Sequence, residues 1–94
     1  MATYVMLGKY SAKALEGISA ERSMKAAELV KNSGGEIKEI YALLGSQDLV
    51  VIADLPGTKE AMKASIALSK LTGVAFATSP ALTVQEFDKL AGEM

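Results

Sequence analysis

Residues 44–54 (LGSQDLVVIAD) carry the clearest structural signal in the sequence. The segment opens with the polar stretch Gly45-Ser46-Gln47, which is typical of a tight turn. Residues 48–55 are nearly all apolar, as expected for a strand at the centre of a sheet. Two carboxylates, Asp48 and Asp54, flank this apolar run. The segment therefore predicts a hairpin turn followed by a central strand.

The strand before this turn is predicted over residues 36–44 (EIKEIYALL). Apolar and polar residues alternate strictly at its start, which is the period of a half-exposed strand. This alternation predicts one face with Ile37, Glu39 and Tyr41, and an opposite face with Glu36, Lys38 and Ile40. The mixed polarity favours a position at the edge of the sheet.

Residues 3–10 (TYVMLGKY) predict a further strand with apolar side chains on both faces. Ser19 is expected to cap a helix that runs to about residue 33 and ends at Gly34-Gly35. We expect Glu21 and Lys25 to pair on its outer face. The predicted inward stripe of this helix consists of Ser23, Ala26, Ala27 and Val30, with Met24 or Leu29 at its margins.

Beyond residue 55, Pro56-Gly57 ends the central strand, and Thr58 is expected to cap a second helix reaching about residue 71. A fourth strand is predicted from residue 74 to about 78, and Pro80 in its continuation favours an edge strand or a bulge. Residues 84–91 predict a short C-terminal helix. Residues 1–94 therefore form a single α+β domain with a ferredoxin-like βαββαβ order, in which a four-stranded antiparallel sheet carries two helices on one face.

The composition excludes several kinds of chemistry. The 94 residues include no histidine and no cysteine, and the net charge is −1. Serine–histidine triads, thiolate nucleophiles and HExxH zinc sites are therefore excluded, and no cofactor or metal site is expected. The basic residues form no stripe for nucleic acid, and no apolar run approaches the ~18 residues that span a bilayer. We expect a cytoplasmic protein that binds neither nucleic acid nor membrane.

The two-sided apolar character of strands 3–10 and 49–55 predicts a homodimer. Both main helices of this fold cover the same face of the sheet, so the other face would expose an apolar patch of several hundred Å². Burying that patch against an identical sheet at ~25 cal/mol per Å² favours association, and two-fold symmetry is the commonest solution. A larger oligomer remains an open alternative.

Three charged residues are candidates for ligand binding. In an antiparallel pairing of the two central strands, Lys9 would lie near Asp48, so the two side chains could contact each other or a ligand. Asp48 could instead cap backbone N–H groups of the turn. Arg22, near the start of the first helix, could bind an anion or form a surface ion pair.

Asp54 and Tyr41 are the candidates for proton transfer. Asp54 ends an apolar strand, where partial burial would raise its pKa, although it could also be a solvated terminal residue. Tyr41 could line a cleft through its phenol or serve only in packing. Asp48 and Asp54 lie about 20 Å apart along an extended strand, which is too far for a paired-carboxylate mechanism within one subunit.

The order of the short motifs resembles that of the GYD family. The motifs are Arg22, Gly34-Gly35, LGSQDLVV at 44–51, Asp54-Leu55-Pro56 and ALTVQEF at 81–87. Two positions depart from the family pattern: Gln47 replaces the tyrosine that gives the family its name, and Asp54 stands where glutamate is usual. The resemblance implies a ferredoxin-like domain that dimerises as an α/β barrel.

The leading functional hypothesis is a homodimeric small-molecule-binding or regulatory protein with a cleft between each sheet and its helices or at the dimer seam. The alternative is a histidine-free, cofactor-independent oxygenase or isomerase of the dimeric α/β-barrel type, with Asp54 or Tyr41 transferring the proton. RNA binding is disfavoured, because the third strand offers no aromatic side chain for base stacking and the first offers only Tyr4 and Tyr10. A subunit with a purely structural role in an assembly also remains open.

Overall fold

The computed structural model describes all residues from 1 to 94. Its elements follow in the order β1 (Ala2–Tyr10), α1 (Ala12–Glu16), α2 (Ala20–Asn32), β2 (Glu36–Ala42), β3 (Leu49–Leu55), α3 (Thr58–Thr72), β4 (Val74–Ala81) and α4 (Val84–Gly92). The strands form one antiparallel sheet in the order β2-β3-β1-β4. The predicted ferredoxin-like α+β fold, with β1 and β3 at its centre, is confirmed.

Capping residues set the helix boundaries. Ser19 accepts a hydrogen bond from the Arg22 amide at 3.0 Å, so it caps α2 as predicted. The predicted Thr58 cap of α3 is wrong, because Gly57 occupies the N-cap position and Thr58 is already helical. Helix α1 was not predicted: Ser11 caps it by accepting from the Ala14 amide at 3.0 Å, and five residues are too few to show a helical period.

The hydrophobic core lies between the sheet and helices α2 and α3. Tyr4 and Met6 of β1 are buried there beside apolar residues of β3 and α3. Of the stripe predicted for α2, only Ala26 and Val30 are buried, whereas Ser23 and Ala27 are exposed. The stripe is narrower than predicted because α2 packs mainly against α3 and the edge strand β2.

A β-bulge interrupts the alternation of β2. Ile37 lies opposite Ala53 and Glu39 lies opposite Ile52, so the intervening Lys38 is an extra residue without a partner. The predicted strict alternation is therefore wrong after Ile37. Ile37, before the bulge, lies on the helix side; beyond the bulge, Ile40 lies on the helix side and Glu39 and Tyr41 lie on the face away from the helices.

The face of the sheet away from the helices is uncovered, and we call it the open face. Cross-strand pairing places Val5 beside Ile52 and Leu7 beside Val50 at its centre. These side chains are half-buried by their neighbours, apart from Leu7, which is 37% exposed. The polar residues Thr3, Lys9, Glu39, Tyr41 and Asp54 surround them on the same face.

Helix α4 begins with a capping box between Thr83 and Glu86, and none of its residues is buried. Val84, Phe87 and Leu90 recur at helical spacing and are 74%, 60% and 50% exposed. The chain has a radius of gyration of 14.1 Å, whereas a compact domain of this length would have about 12.4 Å. The chain is therefore less compact than usual, and α4 projects from it with its apolar stripe outside the core.

No helix of the chain combines the length and apolar character needed to cross a membrane.

The close approach at Gly35 gives a direct test of this packing. A Cβ atom there would collide with the Asp54 carbonyl oxygen and would lie 2.7 Å from Leu55 Cδ2. We expect Gly35→Ala to lower the free energy of unfolding by about 1–3 kcal/mol, since backbone must move to make room. Urea denaturation measures this loss. Gly92→Ala is the control, because nothing lies within 4 Å of the new methyl group; equal losses in both variants would contradict the packing described.

Candidate functional site

Asp54 lies on the open face at the end of β3, beside Thr3 of β1. The Thr3 hydroxyl donates to Asp54 Oδ1 at 2.8 Å, and Lys38 Nζ lies 3.5 Å from Oδ2. The hydrogen bond from Thr3 lowers the pKa of Asp54 below its ordinary value of 3.8; desolvation opposes this effect and Lys38 adds to it. Burial raises this pKa as expected, but the Thr3 hydrogen bond together with Lys38 outweighs it, so the net shift is downward. Asp54 is ionised at neutral pH and is a weak base.

Tyr41 lies on the open face of β2 and is 54% exposed. Its phenol donates to Glu39 Oε2 at 3.0 Å, and this bond and the Glu39 charge raise the pKa of Tyr41 above 10.0. Tyr41 pairs with Val50, four residues before Asp54 on β3, so the two candidates are about 13 Å apart along the sheet. The structure does not bring the two proton-transfer candidates together.

Asp48 and Lys9 lie at the other end of the central strands, and both bond to backbone. Asp48 Oδ2 accepts from the Tyr10 amide at 2.9 Å, while Lys9 Nζ donates to the Ser46 carbonyl at 3.0 Å. No ion pair joins Lys9 to Asp48, although the register places them near each other. Both charges therefore help to hold the β2–β3 turn against β1.

Arg22 joins three helices. From α2, its Nη1 donates to the Ala14 carbonyl of α1 at 2.7 Å and to the Thr72 carbonyl of α3 at 3.5 Å. Its guanidinium carbon lies 6.0 Å from the centre of the Tyr10 ring, within the range of a cation–π contact. A cation at helix C-termini is favourable, because the carbonyl groups there carry partial negative charge. Of the two alternatives given for Arg22, the surface ion pair does not form, and its contacts with helix ends could not be inferred while α1 was unrecognised.

A cavity of about 60 Å³ lies between the sheet and helices α2 and α3, and we call it the inner cavity. Nine of its twelve lining residues are hydrophobic, and the polar exceptions are Arg22, Ser23 and Thr72. The sequence hypothesis placed a cleft beside the sheet but identified only Arg22 among these residues. The structure contains no group of three or more carboxylates that could hold a metal ion.

The sheet order, the two helices on one face and the open apolar face define a ferredoxin-like domain. The sequence matches the GYD domain family over residues 4–91, and the chain belongs to that family. The resemblance found in the short motifs is therefore confirmed. No curated protein matches the chain at a significant level.

Among solved structures, the leucine response regulatory protein LrpA of Mycobacterium tuberculosis has a similar fold. The match has a TM-score of 0.58 at 8% sequence identity and covers 87% of this chain. The chain spans 51% of the length of LrpA, so the likeness concerns part of that protein. At this identity the comparison shows a shared fold.

The Asp54 pKa gives a pH-dependent test of the open face. Because the folded-state pKa lies below the unfolded value, ionised Asp54 stabilises the fold above about pH 4, and this contribution is lost as pH falls through the lowered pKa. Thr3→Val should move the Asp54 pKa up toward 3.8 and reduce that acid-dependent loss. Carboxyl NMR titration measures the shift. Ser79→Ala is the control on the same face, and an unchanged pKa in Thr3→Val would refute the assigned cause.

The Arg22 contacts predict a second effect on stability. Arg22→Met keeps the apolar stem but removes the charged hydrogen bonds to Ala14 and Thr72, and should lower the free energy of unfolding by about 1–3 kcal/mol. Lys25→Gln is the matched control: it removes a cation from α2 whose only partner is the exposed Glu21 at 3.3 Å, so its cost should stay below about 0.5 kcal/mol. Chemical denaturation of both variants tests the difference, and equal costs would contradict the joining role of Arg22.

Proposed function

We propose that the protein is a cytoplasmic homodimeric small-molecule-binding or regulatory protein, in which two open faces pack together as in a dimeric α/β barrel. The observation that carries this proposal is the apolar centre of the open face, formed by Val5, Leu7, Val50 and Ile52. Helices α2 and α3 cover the opposite face, and these side chains keep part of their surface accessible to water: Leu7 is 37% exposed and the other three are half-buried.

The energetics of burial support association through this face. Each 100 Å² of apolar surface removed from water contributes about 2.5 kcal/mol, and a standard interface buries about 800 Å² on each partner. The open face offers apolar side chains on the two central strands, and Ala75 and Ala77 extend the same face on β4. Lys9 and Asp54 lie toward the ends of the central strands, as expected at the rim of an interface, and Glu39 lies on the edge strand β2.

Helix α4 offers further apolar surface for assembly. Its stripe of Val84, Phe87 and Leu90 has no partner within the chain. A projecting amphipathic helix contributes little to the stability of an isolated subunit, but it can bury its stripe against another one. A closed assembly larger than a dimer would use the same stripe.

The small-molecule part of the proposal rests on the inner cavity. Ligand pockets are typically apolar with a few converging polar groups, and the inner cavity has this composition. LrpA is described as a leucine response regulatory protein, and this chain is similar in fold to about half of it. From this likeness we propose for this chain only that it acts as a binding or regulatory module.

The enzyme hypothesis has less support from the geometry. Asp54 has a lowered pKa and two partners, whereas an efficient general base at neutral pH needs a pKa near 7. Tyr41 has a raised pKa, and its phenol donates a hydrogen bond to Glu39. Asp54→Asn would distinguish the two functions if a substrate were identified, because lost turnover would favour the enzyme.

Native mass spectrometry of freshly purified protein tests the proposal, since it reports subunit number and any retained small molecule together. We expect a dimer or a closed multiple of it. A protein that stays monomeric at micromolar concentration would overturn the assembly, and a dimer that neither retains nor binds small molecules in a screen would overturn the binding function.

One substitution localises the interface. Ile52→Lys places a charge at the centre of the open face, and we expect it to weaken dimerisation at least 100-fold, because an unpaired charge cannot be buried there without a large cost. Analytical ultracentrifugation measures the dissociation constant. Ala27→Lys is the control on the exposed side of α2 and should leave it unchanged. An intact Ile52→Lys dimer would show that the subunits meet elsewhere.

A further inference from the structure

A second depression lies next to the inner cavity, on the outer side of Arg22, and we call it the outer groove. It is lined by Lys13, Gly17, Arg22, Lys70, Leu71, Thr72 and Gly73. Arg22 and Thr72 line both depressions. An apolar space and a polar one are therefore adjacent, and a single guanidinium group lies at their junction.

The outer groove is positively charged and the inner cavity is mainly apolar, a combination that suits a ligand with an anionic head and an apolar tail. The outer groove contains three cations, Lys13, Arg22 and Lys70, and neither depression has a carboxylate in its lining. The C-terminal ends of α1 and α3 place carbonyl groups with partial negative charge beside this groove, so part of the positive charge of Arg22 and the lysines offsets those carbonyls and the remainder is available to an anion. The lysines make no ion pair, since the chain's only salt bridges involve Lys25 and Lys38.

The junction also has unused hydrogen-bond donors. Arg22 uses Nη1 for its two carbonyl partners, whereas its Nε and Nη2 groups make no hydrogen bond within the chain. Tyr10 also lines the inner cavity, and its hydroxyl makes no hydrogen bond within the chain. Arginine donors of this kind suit a carboxylate, which can accept two parallel hydrogen bonds from one guanidinium.

From these observations we infer that the inner cavity and the outer groove form one site for a small carboxylate with a short apolar tail. The tail occupies the inner cavity among side chains such as Val51, Leu68 and Phe76. The carboxylate meets Arg22 at the junction, and Lys13 and Lys70 stabilise its charge from the outer groove. The cavity volume of about 60 Å³ restricts the tail to a few carbon atoms. This inference rests on the proposed small-molecule-binding function and specifies its ligand class.

Titration of the wild-type protein with three five-carbon probes tests the inference without a variant. Pentanoate, pentan-1-ol and pentylammonium each contain five carbon atoms and differ in the charge of the head group. We expect pentanoate to shift the backbone amide NMR signals of Arg22, Thr72 and Val74 in a saturable way. Pentanol should bind about 10-fold more weakly, because it lacks the charge-assisted hydrogen bonds, and pentylammonium should bind more weakly still.

A pair of surface variants tests the charge of the outer groove without disturbing Arg22. Lys13→Gln with Lys70→Gln should weaken pentanoate binding two- to fivefold and leave pentanol binding unchanged, since exposed charges interact weakly. Lys59→Gln with Lys63→Gln is the matched control: both residues are exposed on α3 and neither lines the site. This control should leave pentanoate binding unchanged.

The outcomes separate this inference from the proposed function. Equal binding of pentanoate and pentanol, or shifts confined to residues outside the two depressions, would overturn the carboxylate site while leaving the binding function intact. Equal weakening by the two lysine pairs would overturn the role of the outer groove. Failure of all three probes to bind, together with a different small molecule retained in native mass spectrometry, would overturn the ligand class alone.

Discussion

The antiparallel pairing of β1 with β3 is the constraint on which the rest of the structure depends. Its register runs from Ala2 opposite Leu55 to Gly8 opposite Leu49. Side chains alternate between faces, so this register places Tyr4 and Met6 under the helices and Val5 and Leu7 on the open face. A slip of one residue would exchange the two sets. The core and the proposed interface are therefore opposite sides of the same strand pairing.

The four charged residues selected from the sequence all serve, in the structure, to hold the chain together. Asp54 accepts from Thr3, Asp48 accepts from the Tyr10 amide, Lys9 donates to Ser46, and Arg22 donates to two helix ends. Groups committed in this way are poorly suited to exchange protons with a substrate. Arg22 differs from the other three, because its remaining donors lie beside a cavity.

The sequence was sufficient for the fold because the strongest patterns are local. Alternation, glycine positions and the Ser19 cap identify β1, α2, β3 and α3 to within a few residues. Two features could not be predicted from the sequence. Helix α1 is shorter than two helical turns, so it shows no helical period, and the β2 bulge at Lys38 is marked by no distinctive residue type. The candidate site was less predictable. The Thr3 hydrogen bond that sets the Asp54 pKa joins residues 51 positions apart, and Arg22 meets carbonyl groups from two other helices. Contacts of this kind exist only once the elements have packed.

Helix α4 has a consequence for motion. Its first turn is held by the Thr83–Glu86 capping box, but none of its residues is buried in the chain. An isolated helix of nine residues is marginal in water, because tertiary packing supplies most helical stability. In a free subunit, α4 would therefore open on its own, with its amides exchanging with solvent long before those of β1 and β3. Whatever surface covers Phe87 and Leu90 would slow that exchange, so the order of the last dozen residues would depend on protein concentration.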